Sequence, residues 1–234
     1  RVTSVSFMSS AGGDGIAPDA AEGVTPNGQN YPVTPPPMLP ETLLSGGILI
    51  DTVRIEDGPV RVLPGTTIRM APGASLILRG KTVMAGTAGA PIDIRPAVPG
   101  QNWGVVAIQG ASASGSQLRY VRLSGGTGSR AGLSHFIAML SVHDTSDILL
   151  DHLYLTDNAV EDDMIHIIYS RDVLIRDIAM ENAMSDGIDI DISTVTIEGG
   201  VIERSGNDAI DLMTSDATIR SIRLIGNGDK GVSV

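Results

Sequence analysis

Apolar and polar positions alternate in short runs from Ile48 onward, as in Val60-Arg61-Val62-Leu63-Pro64-Gly65, Thr67-Ile68-Arg69-Met70-Ala71-Pro72-Gly73 and Ser75-Leu76-Ile77-Leu78-Arg79-Gly80. Alternation of period two predicts strands, and the Pro or Gly that ends each run makes them too short for long hairpins. The runs also repeat. Ile188-Asp189-Ile190, Ile210-Asp211-Leu212 and Val232-Ser233-Val234 follow one another at 22 residues, and Val173-Leu174-Ile175-Arg176, Val195-Thr196-Ile197-Glu198 and Ala217-Thr218-Ile219-Arg220 keep the same step. Ile148-Leu149-Leu150-Asp151 lies 25 residues before Val173. Gln117-Leu118-Arg119 aligns with Leu149-Leu150-Asp151 across a larger loop holding Gly125-Gly126-Thr127-Gly128.

A period of 22 to 25 residues with two or three strands per repeat predicts an all-β, right-handed, single-stranded parallel β-helix, in which each coil buries its inward row against the coils above and below. Leucine-rich repeats would show asparagine-marked leucine positions, and a propeller blade needs about twice this length. The β-helix is expected over residues 47–234. Residues 1–46, with Pro26-Asn27-Gly28 and Pro35-Pro36-Pro37, read as an extended Pro/Gly-rich arm or cap. The run Val232-Ser233-Val234 falls in a strand position, so the expectation is that further coils continue it or that another chain stacks there.

The repeat sorts the charged residues into two rows. After the inward residues Leu118, Leu150, Ile175, Ile197 and Ile219 the next position reads Arg119, Asp151, Arg176, Glu198 and Arg220, a ladder of alternating sign. The other strand reads Ser141, His166, Asp189, Asp211 and Ser233 at the equivalent outward position. Asp163, Asp186, Asp208 and Lys230 precede these by a few residues, and His143 and Asp191 follow. Carboxylates stacked about 5 Å apart repel by close to 1 kcal/mol even in water, so a row of them calls for a bound cation or for carboxyls that keep their protons. Asp186, Asp189, Asp191, Asp208 and Asp211 are the candidate metal ligands, with Ca²⁺ the expected ion for an oxygen-rich set. Asn158 and Asn227 fall at equivalent turns and read as structural.

Composition narrows the partners. With 16 Lys and Arg against 27 Asp and Glu, the formal charge of -11 disfavours nucleic acid and anionic membranes. The absence of Cys removes thiolate chemistry, and no stretch is long and apolar enough to span a bilayer.

Ser185-Asp186-Gly187-Ile188-Asp189 and Asn207-Asp208-Ala209-Ile210-Asp211 resemble motifs of carbohydrate-active parallel β-helix proteins of the pectin-lyase-like group, which includes polygalacturonase-type hydrolases, polysaccharide lyases and uronan C-5 epimerases. The resemblance covers roughly residues 53–234 at the level of repeats. It implies a secreted, periplasmic or cell-surface protein acting on a polysaccharide. In its terms His166, Asp186, Asp208 and Lys230 are candidate catalytic residues, while His143 and Asp163 are candidate substrate contacts. Trp103 in Gln101-Asn102-Trp103-Gly104 reads as packing where a loop re-enters the helix, with a substrate contact by stacking on a sugar ring as the alternative. Gly228-Asp229-Lys230-Gly231 stands where the hydrolases carry Gly-His-Gly, which turns the expectation toward a lyase or epimerase working on uronate. The alternative is a non-catalytic surface or adhesion module that binds glycan or cations through the same face.

Overall fold

The structure is a computed structural model and describes residues 38–160 and 162–234. Among the described residues twenty-one strands build a parallel β-solenoid of about eight coils, each coil passing through three faces, and two more form a hairpin. The first face is an eight-stranded sheet running from Val53–Glu56 to Val232–Ser233. The other two faces are joined through long strands, Arg171–Glu181, Thr194–Glu203 and Asp216–Ile225, that turn a corner and serve both. Among the described strands one pair is antiparallel, the hairpin Ser129–Ala131 with Ser134–Phe136, and an isolated antiparallel bridge joins Thr87 and Ala90. Among the described residues no helix is long and apolar enough to cross a membrane. The coils begin at Thr42–Leu44, which pairs with Val60–Val62, inside the stretch expected as an arm; residues 1–37 of that arm lie outside the described residues.

The register has the periodicity of the sequence. Ile188 pairs with Ile210 and Ile210 with Val232, and Val173, Val195 and Ala217 stack in turn. The inward residues of successive coils form one continuous apolar core, with Ile165, Ile188 and Ile210 from the first face and Ile175 and Ile197 from the second all fully enclosed. Each such side chain contributes about 1.5–3 kcal/mol by leaving water. Because the strands are short, branched aliphatic residues fill this core and aromatics are scarce.

The corner between the second and third faces needs a left-handed residue in every long coil. His152, Asp177 and Ser221 occupy it at φ 55°, 49° and 54°, and Gly199 takes the same corner at 78°. A Cβ on Gly199 would also meet the Asp177 carboxylate, so two independent reasons favour glycine there.

Polar side chains stitch the turns. Ser170 Oγ accepts the Thr145 N–H at 3.4 Å, Ser193 Oγ accepts the Ser170 N–H at 3.0 Å, and Ser215 Oγ accepts the Ser193 N–H at 3.0 Å. Backbone donors that one coil cannot satisfy are thus met by the next. Asn158 Oδ1 accepts the Met184 N–H and Asn227 Oδ1 accepts the Ser205 N–H, which confirms their structural role. They do not form an unbroken row, because Ala183 and Ser205 hold the intervening coils.

Trp103 is fully buried and its indole N–H donates to the Ser124 carbonyl at 2.8 Å. It packs where a loop re-enters the core, against Gly126 and Met139. Its alternative as a substrate contact is therefore corrected: no part of the ring faces solvent, so it offers no surface for a sugar to stack on.

Candidate functional site

The first face changes character along its length. Its outward row begins with Ile55, Ile77 and Ala107 and continues through Ser141, His166, Asp189 and Asp211 to Ser233. The hairpin covers the apolar part: Phe136 and Ala131 pack on Ile77, Val105 and Ala107 in a small second core. Gln109 Nε2 holds the hairpin by donating to Ser134 Oγ at 2.9 Å. Where the hairpin ends the polar residues begin, with the Phe136 ring 4.9 Å from the His143 ring and His143 edge-on to His166 at 5.2 Å.

His166 is the centre of the cluster. Its Nε2 lies 3.3 Å from Asp191 Oδ2 and 3.6 Å from Asp189 Oδ2, and the three side chains offer ligand atoms all within 4.8 Å of one another. Burial pulls the imidazole's pKa down, against the raising effect of the Asp191 hydrogen bond and charge. His143 is lowered to about 3 by burial and by the neighbouring His166, so it is a neutral imidazole at neutral pH. Asp163 is pushed up to about 9 by burial and by the charges of Asp189, Asp162, Asp186 and Asp191. Asp189 rises to about 7, through burial and then the charges of Asp191, Asp211, Asp186 and Asp162.

Four polar atoms in this patch are enclosed and unpartnered among the described residues: Ser141 Oγ, His143 Nε2, Asp163 Oδ2 and His166 Nδ1. Each such atom costs about 1–3 kcal/mol. Elsewhere among the described residues only Thr145 Oγ1 and Ser205 Oγ share that condition.

Asp186 and Asp208 are built differently. Asp186 Oδ1 accepts the Asp208 N–H at 2.7 Å and the Asn207 side-chain N–H at 2.9 Å, and Asp208 Oδ1 accepts the Lys230 N–H at 2.6 Å. One oxygen of each carboxylate therefore ties its coil to the next. Burial raises the pKa of Asp186, with the two hydrogen bonds opposing. Gly187 permits the close stacking these bonds require, since a Cβ there would lie 2.5 Å from the Ala209 carbonyl. The Asp-Gly element is thus first a device of coil stacking. Lys230 Nζ pairs with Asp229 and lies 3.9 Å from Asp208 Oδ2, half-exposed. Asp211 Oδ1 accepts the Leu212 N–H at 3.0 Å.

The structure therefore brings His143, Asp163, His166, Asp189 and Asp191 together as one group and gives Asp186 and Asp208 backbone work beside it. Sequence reading missed Ser141 and Asp162 as members, although Ser141 stands in the outward row and Asp162 lies in the acidic run Glu161-Asp162-Asp163. A second group, Asp151, His152 and Asp177, also has ligand atoms within reach of one another. The Arg176 guanidinium grips Asp151 by two hydrogen bonds of 3.1 Å there, so a cation would meet positive charge.

The donor set at His166 is one imidazole and two carboxylates. Mn²⁺ or Zn²⁺ suits all three atoms, whereas Ca²⁺, which takes oxygen ligands, would use Asp189 and Asp191 and leave the imidazole aside.

Fold and face define a parallel β-solenoid carrying a buried histidine–carboxylate cluster on one side. No family model and no curated protein matches the sequence. Among solved structures, a crystal structure of an alginate lyase from Paenibacillus sp. str. FPU-7 is 18% identical over 68% of this chain and 69% of that one, with a TM-score of 0.25. A likeness that distant carries no argument, and the assignment of the fold stands on the strand register itself.

Proposed function

We propose that this protein acts outside the cytoplasm on a uronate-containing polysaccharide, as a lyase or epimerase, at the face formed by Ser141, His143, Asp163, His166, Asp189 and Asp191. The observation that carries this reading is the set of four enclosed, unpartnered polar atoms bordering a carboxylate pair. Buried polar atoms are nearly always satisfied, so four of them side by side point to an occupant that meets them, whether water, ion or ligand. Removing the proton beside a uronate carboxylate requires that carboxylate to be neutralised, a base on one side and an acid for the leaving oxygen or the opposite face. His166, Asp189 and Asp191 are suited to hold a divalent cation that would bind the sugar carboxylate, in place of a direct clash between anions. His143 offers the neutral imidazole and Asp163 the carboxyl.

The test is incubation of the full chain with a panel of uronate polymers, with Mn²⁺, Zn²⁺, Ca²⁺ or a chelator, reading unsaturated ends by absorbance and epimerised residues by NMR. Turnover should fall at least a hundredfold in His143→Ala and in His166→Asn. Absence of turnover on every polymer and ion would overturn the enzymatic reading. A non-catalytic glycan- or cation-binding module is the second reading. It is favoured by the closure of the hairpin over His143, and binding without turnover would establish it.

A further inference from the structure

The third face carries a cluster of a different sign. Arg69 pairs in register with Arg95 on the next coil, and Arg122 pairs with Tyr154. All three arginines are exposed, and none makes an ion pair or hydrogen bond among the described residues. Elsewhere arginines with an acidic partner take it: Arg54 with Glu56, Arg61 with Glu41, Arg176 with Asp151 and Arg204 with Glu181. Asp93 stands in register with Arg122 and still makes no pair with it. In a chain of formal charge -11, two like-charged arginines on adjacent strands are retained here although each repels the other by close to 1 kcal/mol in water.

A groove of about 290 Å³ runs along this stretch, lined by Asp93, Arg95, Arg122, Ser124, Tyr154 and Thr156 among others. Tyr154 is more than a third exposed, and its hydroxyl donates to Glu181 Oε1 at 3.3 Å, which fixes the ring at the lower end of the groove. An exposed planar ring fits the apolar face of a sugar. A guanidinium presents paired donors matched to a carboxylate or sulfate. Ser124 and Thr156 pair in register beside them, and the Thr156 hydroxyl, which donates to Asp157 Oδ2 at 2.8 Å, keeps its lone pairs for a sugar hydroxyl.

From this placement we infer a second saccharide-binding site on the third face, in which Arg95 and Arg122 take the carboxylate or sulfate of an anionic sugar and Tyr154 supports its ring. This site is separate from the His166 cluster and does not depend on turnover there. It would anchor one stretch of a polymer while leaving the first face free. Asp93 and Glu181 flank the anion position and would exclude a second negative group close by, so the ligand is a sparsely charged chain in which anionic and neutral surfaces alternate.

The experiment is calorimetric titration of the full chain in chelator, so that the first face holds no cation, with three probes: a uronate oligosaccharide, a sulfated oligosaccharide and a neutral one of equal length. At least one anionic probe is expected to bind. Its affinity should fall at least tenfold in Arg95→Gln/Arg122→Gln and several-fold in Tyr154→Ala, with circular dichroism confirming that both variants melt as the parent does. Which anionic probe responds identifies the group recognised. Binding of neither, binding of the neutral probe with equal affinity, or unchanged affinity in the double variant would overturn the inference. Arg122→Ala alone provides a second reading should the double variant fail to fold.

Discussion

Two columns of the same solenoid solve the stacking of charge in opposite ways. On the second face Arg119, Asp151, Arg176, Glu198 and Arg220 follow one another in register with alternating sign. Asp151 accepts two hydrogen bonds from Arg176 at 3.1 Å and lies 3.6 Å from Arg119. Burial pushes its pKa up, yet the Arg176 and His152 hydrogen bonds and charges outweigh this and hold it below the usual value. On the first face His166, Asp189 and Asp211 follow in register with no cation from the chain between them. Burial and mutual repulsion leave Asp189 and Asp163 reluctant to ionise. Equal backbones at equal spacing thus give one column that pairs its own charges and one whose carboxyls are pushed toward the protonated form. The difference separates a column whose charges are paired within the chain from one whose carboxylates are not.

Four measurements break or sharpen this contrast. The largest effect is expected from Mn²⁺ or Zn²⁺, which at a hundred times its dissociation constant should stabilise the parent by about 2.7 kcal/mol. Calorimetry would read a rise in melting temperature of several degrees, lost in Asp189→Asn/Asp191→Asn; equal shifts in both proteins would remove the first face as a cation site. Next, Asp151→Asn should destabilise by about 1–3 kcal/mol in urea titration, because it takes the charge from a bidentate pair. A change below a few tenths would show the ladder to be idle.

Asp189→Asn should have the opposite sign, stabilising the cation-free protein on the order of 1 kcal/mol at pH 8. The folded pKa of Asp189, about 7, lies above its ordinary value of 3.8, so the folded state binds more protons between them and the parent loses stability as pH rises through that window. The gain from asparagine should therefore shrink toward pH 4, and a gain independent of pH would deny that ionisation is its cause. The smallest effect is that of salt. At 1 M NaCl the Debye length falls to about 3 Å. Screening should help Asp151→Asn more than the parent by a few tenths of a kcal/mol, since the parent also loses part of its exposed pairing.

The repeat was legible because each coil must bury its own inward row, and Ile188, Ile210 and Val232 announce that step without any knowledge of the turns. Both charge columns followed from the same register. The hairpin Ser129–Phe136 was not legible, because it occurs in one coil only and periodicity says nothing about an insertion except its place. That one gap hid the cover over His143 and the burial beside it. The backbone bonds of Asp186 and Asp208 were hidden for a related reason: a side chain bonded to the backbone of the neighbouring coil looks, in sequence, like any other outward acid. Trp103 was ambiguous between two surroundings that only the position of Gly126 distinguishes.

The hairpin has one more consequence. In a stack where every layer touches only the layers beside it, a loop can be exchanged without disturbing the remaining registers. Here such an exchange is not free, since trimming the loop would uncover Ile77 and Ala107 as a sticky stripe on the outer face of the sheet. Whatever replaces it must bring its own oily underside, which restricts how readily the groove beside His143 can be recast for a different ligand.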